Sequence, residues 1–209
     1  MYSLGGIILE KFKLPNLITY VGAASAVCAM ILSFNNKITY AMICLIVSAI
    51  SDLFDGQFAR KFKRIRTEQL VGIELDSLSD VISFLITPVI IFMGIGGRAW
   101  YSYVVCILYV ISGITRLAVF NVNAAENGSD KPKKYYNGLP VSYSAILFPL
   151  LWFTSKLLTV SQIEIMYGGV MLILAYLFVA NIKIPKPRGK ALYGFAIAAV
   201  IAVIGLCLF

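Results

Sequence analysis

Apolar residues gather along this chain into seven stretches, approximately 17–34, 38–60, 70–94, 99–121, 140–158, 163–182 and 191–209, parted by short polar clusters. Each approaches the ~20 residues a helix needs to cross ~30 Å of hydrocarbon, a layer in which every backbone N–H and C=O must be satisfied within its own segment. The pattern predicts an all-α protein, a polytopic bundle of transmembrane helices. Plain hydropathy undervalues the second, third and fourth stretches, which carry polar residues near one end. Ahead of the first stretch, residues 1–14 mix Ile7, Ile8, Leu9, Phe12 and Leu14 with Glu10, Lys11 and Lys13. That segment is too short to span and predicts an amphipathic piece lying in the interface. The chain thus divides into an interfacial segment (1–14), a membrane domain (15–190) and an additional C-terminal helix (191–209).

The basic residues orient this bundle. With the N-terminus cytoplasmic and the stretches alternating, fifteen Lys and Arg fall on the cytoplasmic side and three (Lys37, Arg98, Lys156) on the other. Cytoplasmic loops carry such an excess, so an integral protein of the cell membrane with a cytoplasmic N-terminus is expected. Two connections stand out: a polar stretch from Asn121 to Asn137, read as a cytoplasmic loop, and a stiff basic linker from Lys183 to Lys190. Asn127-Gly-Ser129 matches a glycosylation acceptor, but this topology places it in the cytoplasm and discounts it.

Composition narrows the function. Hydrophobic residues make up 60% of the chain and charged residues 13%, with a net charge of +8. Because the basic residues sit between apolar runs, they suit anionic lipid headgroups, and no nucleic-acid partner is expected. No histidine is present, which removes histidine-based zinc sites, Ser-His-Asp triads and histidine bases. Cys28, Cys44, Cys106 and Cys207 lie inside apolar runs without C-x-x-C spacing and read as small hydrophobes. No cleavable signal peptide is expected, since the first apolar run has no evident cleavage site.

Candidate chemistry concentrates in four aspartates. Asp52 and Asp55 are spaced i, i+3, and Asp76 and Asp80 i, i+4, so each pair shares one helix face. A tight return through roughly 61–69 would bring the end of the second helix to the start of the third, converging four carboxylates. Such a cluster repels itself and calls for a cation. Hard oxygen ligands without His or Cys point to Mg²⁺, Mn²⁺ or Ca²⁺, bound as one ion or as two sharing bridging oxygens. Gly56, Ala59 and Gly72 are small residues beside these carboxylates. A helical glycine is costly, so its use is a close backbone approach, here of a flat or bulky ligand such as a nucleotide.

The order of these residues, Asp52-x-x-Asp55-Gly56-x-x-Ala59-Arg60 and then Gly72-x-x-x-Asp76-x-x-x-Asp80, resembles the signature of the CDP-alcohol phosphotransferase (phosphatidyltransferase) family. Eleven residues (Lys61 to Val71) separate its halves, more than in the family's commonest form. The resemblance is nearest to the family's membrane-embedded phosphatidylserine synthase branch, through Glu74 to Phe84, Pro88, Gly113-Ile-Thr-Arg116-Leu-Ala-Val-Phe-Asn121, Asn137-Gly138-Leu139-Pro140 and Val179 to Pro185. Ser79, Val119 and Leu85-Ile-Thr87 depart from that branch. The resemblance implies a six-helix core, to which the last stretch adds a seventh helix, and a homodimer. It also implies transfer of a phosphatidyl group from CDP-diacylglycerol to an alcohol, L-serine in this branch, releasing CMP in phospholipid biosynthesis. By the same resemblance Asp52, Asp55, Asp76 and Asp80 bind two divalent ions, Mg²⁺ or Mn²⁺, and Asp80 is the general base. Asp52, Gly56, Ala59, Arg60 and Gly72 would hold the nucleotide donor. Arg116, one turn inside the cytoplasmic end of the fourth stretch where a buried cation is costly, is an acceptor-binding candidate, with Asn121 and Asn137 beside it.

Three alternatives stand next to serine transfer. Glycerol 3-phosphate or an inositol phosphate could be the acceptor in the same reaction. Outside the class, four intramembrane carboxylates could line a cation transporter, although these sit at helix ends rather than mid-membrane.

Overall fold

Seven helices and one small ribbon account for the described residues, 14–126, 135–185 and 190–208, of the computed structural model. The helices are α1 (Leu17–Phe34), α2 (Ile38–Ala59), α3 (Arg66–Ile95), α4 (Trp100–Glu126), α5 (Ser144–Trp152), α6 (Val160–Val179) and α7 (Lys190–Leu208). Five of them, α1 to α4 and α6, are long and apolar enough to cross a membrane, which makes this an integral membrane architecture. Of the expected interfacial segment, residues 1–13 lie outside the described residues. So do Lys131, Lys133 and Lys134 of the expected loop, and residues 186–189 of the basic linker.

Local chemistry sets the helix ends. A capping box opens α6, with Thr159 Oγ1 accepting from the Gln162 N–H and Gln162 Oε1 accepting from the Thr159 N–H. This starts the helix at Val160, before the expected 163. Glu68 accepts from the Ile65 N–H and opens α3 at Arg66. The turn between α1 and α2 places Asn36 at φ 59°, a left-handed conformation that asparagine tolerates better than most residues. The polar loop expected from Asn121 begins later, because α4 continues through Ala124, Ala125 and Glu126, all compatible with helix.

The fifth stretch is shorter in α-helix than its length suggested. Its nine α-helical residues contain Pro149 and are flanked by 3-10 turns at Val141–Tyr143 and Phe153–Lys156. Because a 3-10 turn rises ~2.0 Å per residue against ~1.5 Å in an α-helix, the whole piece still reaches about 27 Å. A further departure is the six-residue π-helical stretch Val81–Ile86 inside α3, which ends two residues before Pro88.

Packing follows side-chain size. The buried face of α1 includes the small residues Gly22, Ala26 and Ala29, and they let α2 approach so closely that a Cβ on Gly22 would stand 3.0 Å from Ser51 Cβ. The fully buried aromatic side chains lie where α3 to α6 meet. Tyr109 and Phe178 have ring centroids 5.4 Å apart, and Phe148 stacks on Tyr167, which donates its hydroxyl to the Phe148 carbonyl at 2.7 Å. The ribbon, which no feature of the sequence predicted, pairs β1 (Tyr135–Asn137) antiparallel with β2 (Lys183–Pro185). It ties the segment before α5 to the segment after α6.

Candidate active site

The six residues 60–65 return the chain from α2 to α3, a tighter reversal than expected, and set the two aspartate pairs side by side. Carboxylate oxygens of Asp52, Asp76 and Asp80 all lie within 4.8 Å of one another, on partly buried side chains. Asp55 adjoins this trio beside Asp76. It is buried, and its Oδ2 accepts a hydrogen bond from Thr19 Oγ1 of α1 at 2.9 Å. The four aspartates therefore form a group of three with a fourth anchored next to it.

At such separations each pair of ionised carboxylates repels by about 3–4 kcal/mol at an effective dielectric constant of ~20. Three oxygens from three residues, with no imidazole or thiolate among them, fit a hard divalent cation such as Mg²⁺ or Mn²⁺.

The trio opens into a cavity of about 450 Å³, within the ~300–1,000 Å³ usual for ligand sites. Its polar end is formed by Asp52, Asp55, Asp76, Asp80, Arg60 and Arg116, and its far end by apolar residues of α2, α5 and α7. Gly56 lies on this wall, and nothing stands within 4 Å of where its Cβ would be, so the backbone is open to a ligand. Arg116 is 7% exposed, and its guanidinium carbon lies 5.3 Å from the centroid of the Phe120 ring, another wall residue.

Other expected site residues lie elsewhere. Ala59 is buried and off the cavity wall. Gly72 faces Arg64 and Asn16, which a Cβ would approach to 3.0 and 3.5 Å, so its small size serves the fit of the α2–α3 connection. Asn121 donates to Ser77 Oγ at 2.8 Å, tying α4 to α3 one residue from Asp76. Asn137 lies in β1, paired with Lys183.

The segment after Asn137 does reach the cavity. Gly138 adopts φ +78° and sits so close to the end of α6 that a Cβ would stand 2.7 Å from the Phe178 carbonyl oxygen. Its N–H bonds to Ile182 O at 2.8 Å, and the Leu139 N–H to Leu177 O at 3.0 Å. Pinned in this way, the chain delivers Pro140, Val141, Ser142 and Tyr143 to the wall. Sequence reasoning passed over Ser142, Tyr143 and Thr19. A hydroxyl inside the first apolar run was the available signal for Thr19, but nothing in the spacing linked it to Asp55.

A carboxylate cluster at one end of an amphipathic cavity, set among membrane-spanning helices, defines a membrane enzyme for a substrate with polar and apolar parts. Residues 12–181 match the model of the family described as CDP-alcohol phosphatidyltransferase, and the chain belongs to that family. Membership implies a CDP-alcohol as substrate and CMP as product, and makes the protein a phosphatidyltransferase rather than a transporter. Over 183 residues the chain is 30% identical to an archaetidylserine synthase of Methanothermobacter thermautotrophicus, covering 87% of this chain and 73% of the relative. It is 32% identical to a CDP-diacylglycerol–serine O-phosphatidyltransferase of Helicobacter pylori, covering 84% and 73%. A protein of the same name from Methanocaldococcus jannaschii is 26% identical, with 99% of this chain and 89% of the relative covered.

Proposed function

We propose that the protein transfers the phosphatidyl group of CDP-diacylglycerol to the hydroxyl of L-serine, giving phosphatidylserine and CMP. The observation that carries this reading is the carboxylate trio at the polar end of the cavity, in a chain similar to proteins named for serine transfer. Asp52, Asp76 and Asp80, with Asp55 beside them, would hold two divalent ions, Mg²⁺ or Mn²⁺. When bound, such ions neutralise a pyrophosphate and stabilise the departing CMP. Gly56 gives the nucleotide access to the backbone and Arg60 offers its charge to the CDP phosphates. Asp80 takes the proton of the serine hydroxyl as its oxygen attacks the phosphatidyl phosphorus and the bond to CMP breaks. Arg116, a buried residue lining the same cavity, suits the serine carboxylate. The distribution of Lys and Arg supports a cytoplasmic site, where water-soluble serine meets a lipid-linked donor. Assembly as a homodimer belongs to the same proposal and rests on the family resemblance. The similarity to an archaetidylserine synthase favours testing an archaetidyl donor as well.

Purified protein in mixed micelles with Mg²⁺ or Mn²⁺ would receive each CDP-linked donor and, in turn, serine, glycerol 3-phosphate and an inositol phosphate. CMP release is expected with serine. Release with glycerol 3-phosphate and none with serine would overturn the acceptor assignment. Asp80→Asn should lower turnover by at least ~10²-fold while donor binding persists; an active variant would remove Asp80 as the base.

A further inference from the structure

The width of the carboxylate trio depends on two helices. Asp76 and Asp80 lie one turn apart on α3, so the helix itself sets their spacing. Asp52 comes from α2, and its distance from the other two follows how closely α2 and α3 approach. On one side of the trio the 60–65 return joins these helices. On the other, four residues before Asp52 and three after Asp80, Ser48 Oγ donates to Ser83 Oγ at 2.9 Å. The two serines are 1% and 2% exposed, so bulk water does not compete for the bond.

A serine inside a membrane helix commonly turns its hydroxyl back to the carbonyl four residues earlier, as Ser51 does to Val47 at 3.0 Å. Ser48 instead reaches across to α3, at a point where α1 also packs: a Cβ on Gly22 would stand 3.5 Å from the Ser48 carbonyl oxygen and 3.8 Å from its hydroxyl. Interhelical hydroxyl bonds often serve as general glue, and Ser33, which donates to the Ile90 carbonyl at 3.1 Å, is one of these. The Ser48–Ser83 bond differs in its place, about one turn from a carboxylate of the trio on each helix it joins. A hydrogen bond also prefers a narrow range of lengths, whereas single dispersion contacts are weak and give way more easily. Ligand spacing matters to a cation site because Mg²⁺ takes oxygens at ~2.0–2.1 Å in near-ideal octahedra and Ca²⁺ at ~2.3–2.6 Å in looser shells.

We propose that the Ser48–Ser83 pair positions Asp52 against Asp76 and Asp80 and holds the trio at a width that favours Mg²⁺ over Ca²⁺. Both serines are positioning residues that act through the aspartates. This rests on the phosphatidyl-transfer reading, in which the trio holds divalent ions, and adds what sets its choice of ion.

The test measures ion binding directly. Wild type, Ser48→Ala, Ser83→Ala and the double variant, purified in micelles, are titrated with Mn²⁺, and the free ion is counted by its electron paramagnetic resonance signal. Mg²⁺ and Ca²⁺ are then measured by displacement of Mn²⁺. Wild type should prefer Mg²⁺. Each single variant should lower the Mg²⁺-to-Ca²⁺ affinity ratio by about fivefold, the worth of one neutral hydrogen bond. The double variant should lower it no further, since the same bond is lost. Ser33→Ala removes a bond of the same kind at Ile90, ten residues or about 15 Å beyond Asp80, and should leave the ratio unchanged. A protein that is merely loosened would bind both ions less well and keep their ratio. An unchanged ratio in either single variant, a further shift in the double variant, an equal shift in Ser33→Ala, or a wild type without preference would overturn the role of the serines and leave the metal site standing. If one single variant is not recovered folded, the other decides. A wild type that binds no Mn²⁺ would overturn the metal-dependent reading of the trio itself.

Discussion

Replacing Thr19 with valine tests how Asp55 is held. The two side chains have nearly the same shape, so no cavity opens; the change removes the hydroxyl that donates to Asp55 Oδ2 at 2.9 Å. Both residues are 8% exposed, and bulk water has little access to replace the lost donor. A hydrogen bond to a charged group contributes about 1.5–3 kcal/mol. If that energy is lost from the arrangement that binds the cation, the affinity falls roughly 10- to 150-fold. Asp55 lies beside Asp76, so the disturbance reaches the trio directly. The assay is CMP release by chelator-treated protein titrated with Mn²⁺. The concentration giving half-maximal activity should rise within that range for Thr19→Val. Thr19→Ser, which keeps the donor, should titrate close to wild type. A Thr19→Val protein that titrates like wild type, or a Thr19→Ser protein as impaired as the valine variant, would refute the reasoning.

Two other substitutions probe the frame around the site. Gly138→Ala forces a left-handed φ on a side-chain-bearing residue, at about 1–2 kcal/mol, and drives its Cβ toward the Phe178 carbonyl. The melting midpoint should fall by about 2–8 °C and activity should drop with it; an unchanged midpoint would show that the ribbon yields easily. Tyr109→Phe removes the donor at 2.6 Å from Phe84 O, and Ser144→Ala removes a hydroxyl whose single proton is shared between Val141 O at 2.8 Å and Phe84 O at 3.2 Å. Each should cost about 1 kcal/mol, and the double variant about 1 kcal/mol more than their sum, because the buried carbonyl then loses both partners. Strict additivity in unfolding measurements would sink that account.

Helix positions were legible because hydrocarbon imposes a long, uninterrupted apolar run, and α2 and α3 lie close to where the runs put them. The shape of α5 was not, since α and 3-10 turns draw on the same apolar residues and differ only in rise. The ribbon was equally hidden, because three residues show no useful alternation and Tyr135 and Pro185 pair across a long separation. At the site, Asp52, Asp76 and Asp80 were readable from helical spacing, whereas the Thr19–Asp55 bond spans 36 positions and leaves no periodic trace. Gly72 shows the limit of arguing from size. An absent side chain allows a close approach without naming what approaches, and here Arg64 and Asn16 take the space next to it.

Pro88 connects the break in α3 to the site. It lies four residues after Phe84 and lacks the N–H that would close an α-helical bond to the Phe84 carbonyl. In a membrane layer an open carbonyl is costly, so another donor must answer it. Tyr109 of α4 does so at 2.6 Å, Ser144 of α5 lies 3.2 Å away with its single proton shared with the nearer Val141 carbonyl at 2.8 Å, and Thr87 Oγ1 meets the Ile82 carbonyl at 2.8 Å within the π-helical stretch. One carbonyl oxygen thereby joins α3, α4 and α5 four residues, or about 6 Å, beyond Asp80. These are the helices that set Asp76 and Asp80, Arg116, and the Ala145 to Leu150 wall around one cavity. A regular α-helix through position 88 would satisfy its own carbonyl and leave both hydroxyls to bond elsewhere. The irregular turn instead fixes two neighbouring helices against the aspartates, so the local defect in α3 is what positions the cavity walls around its carboxylates.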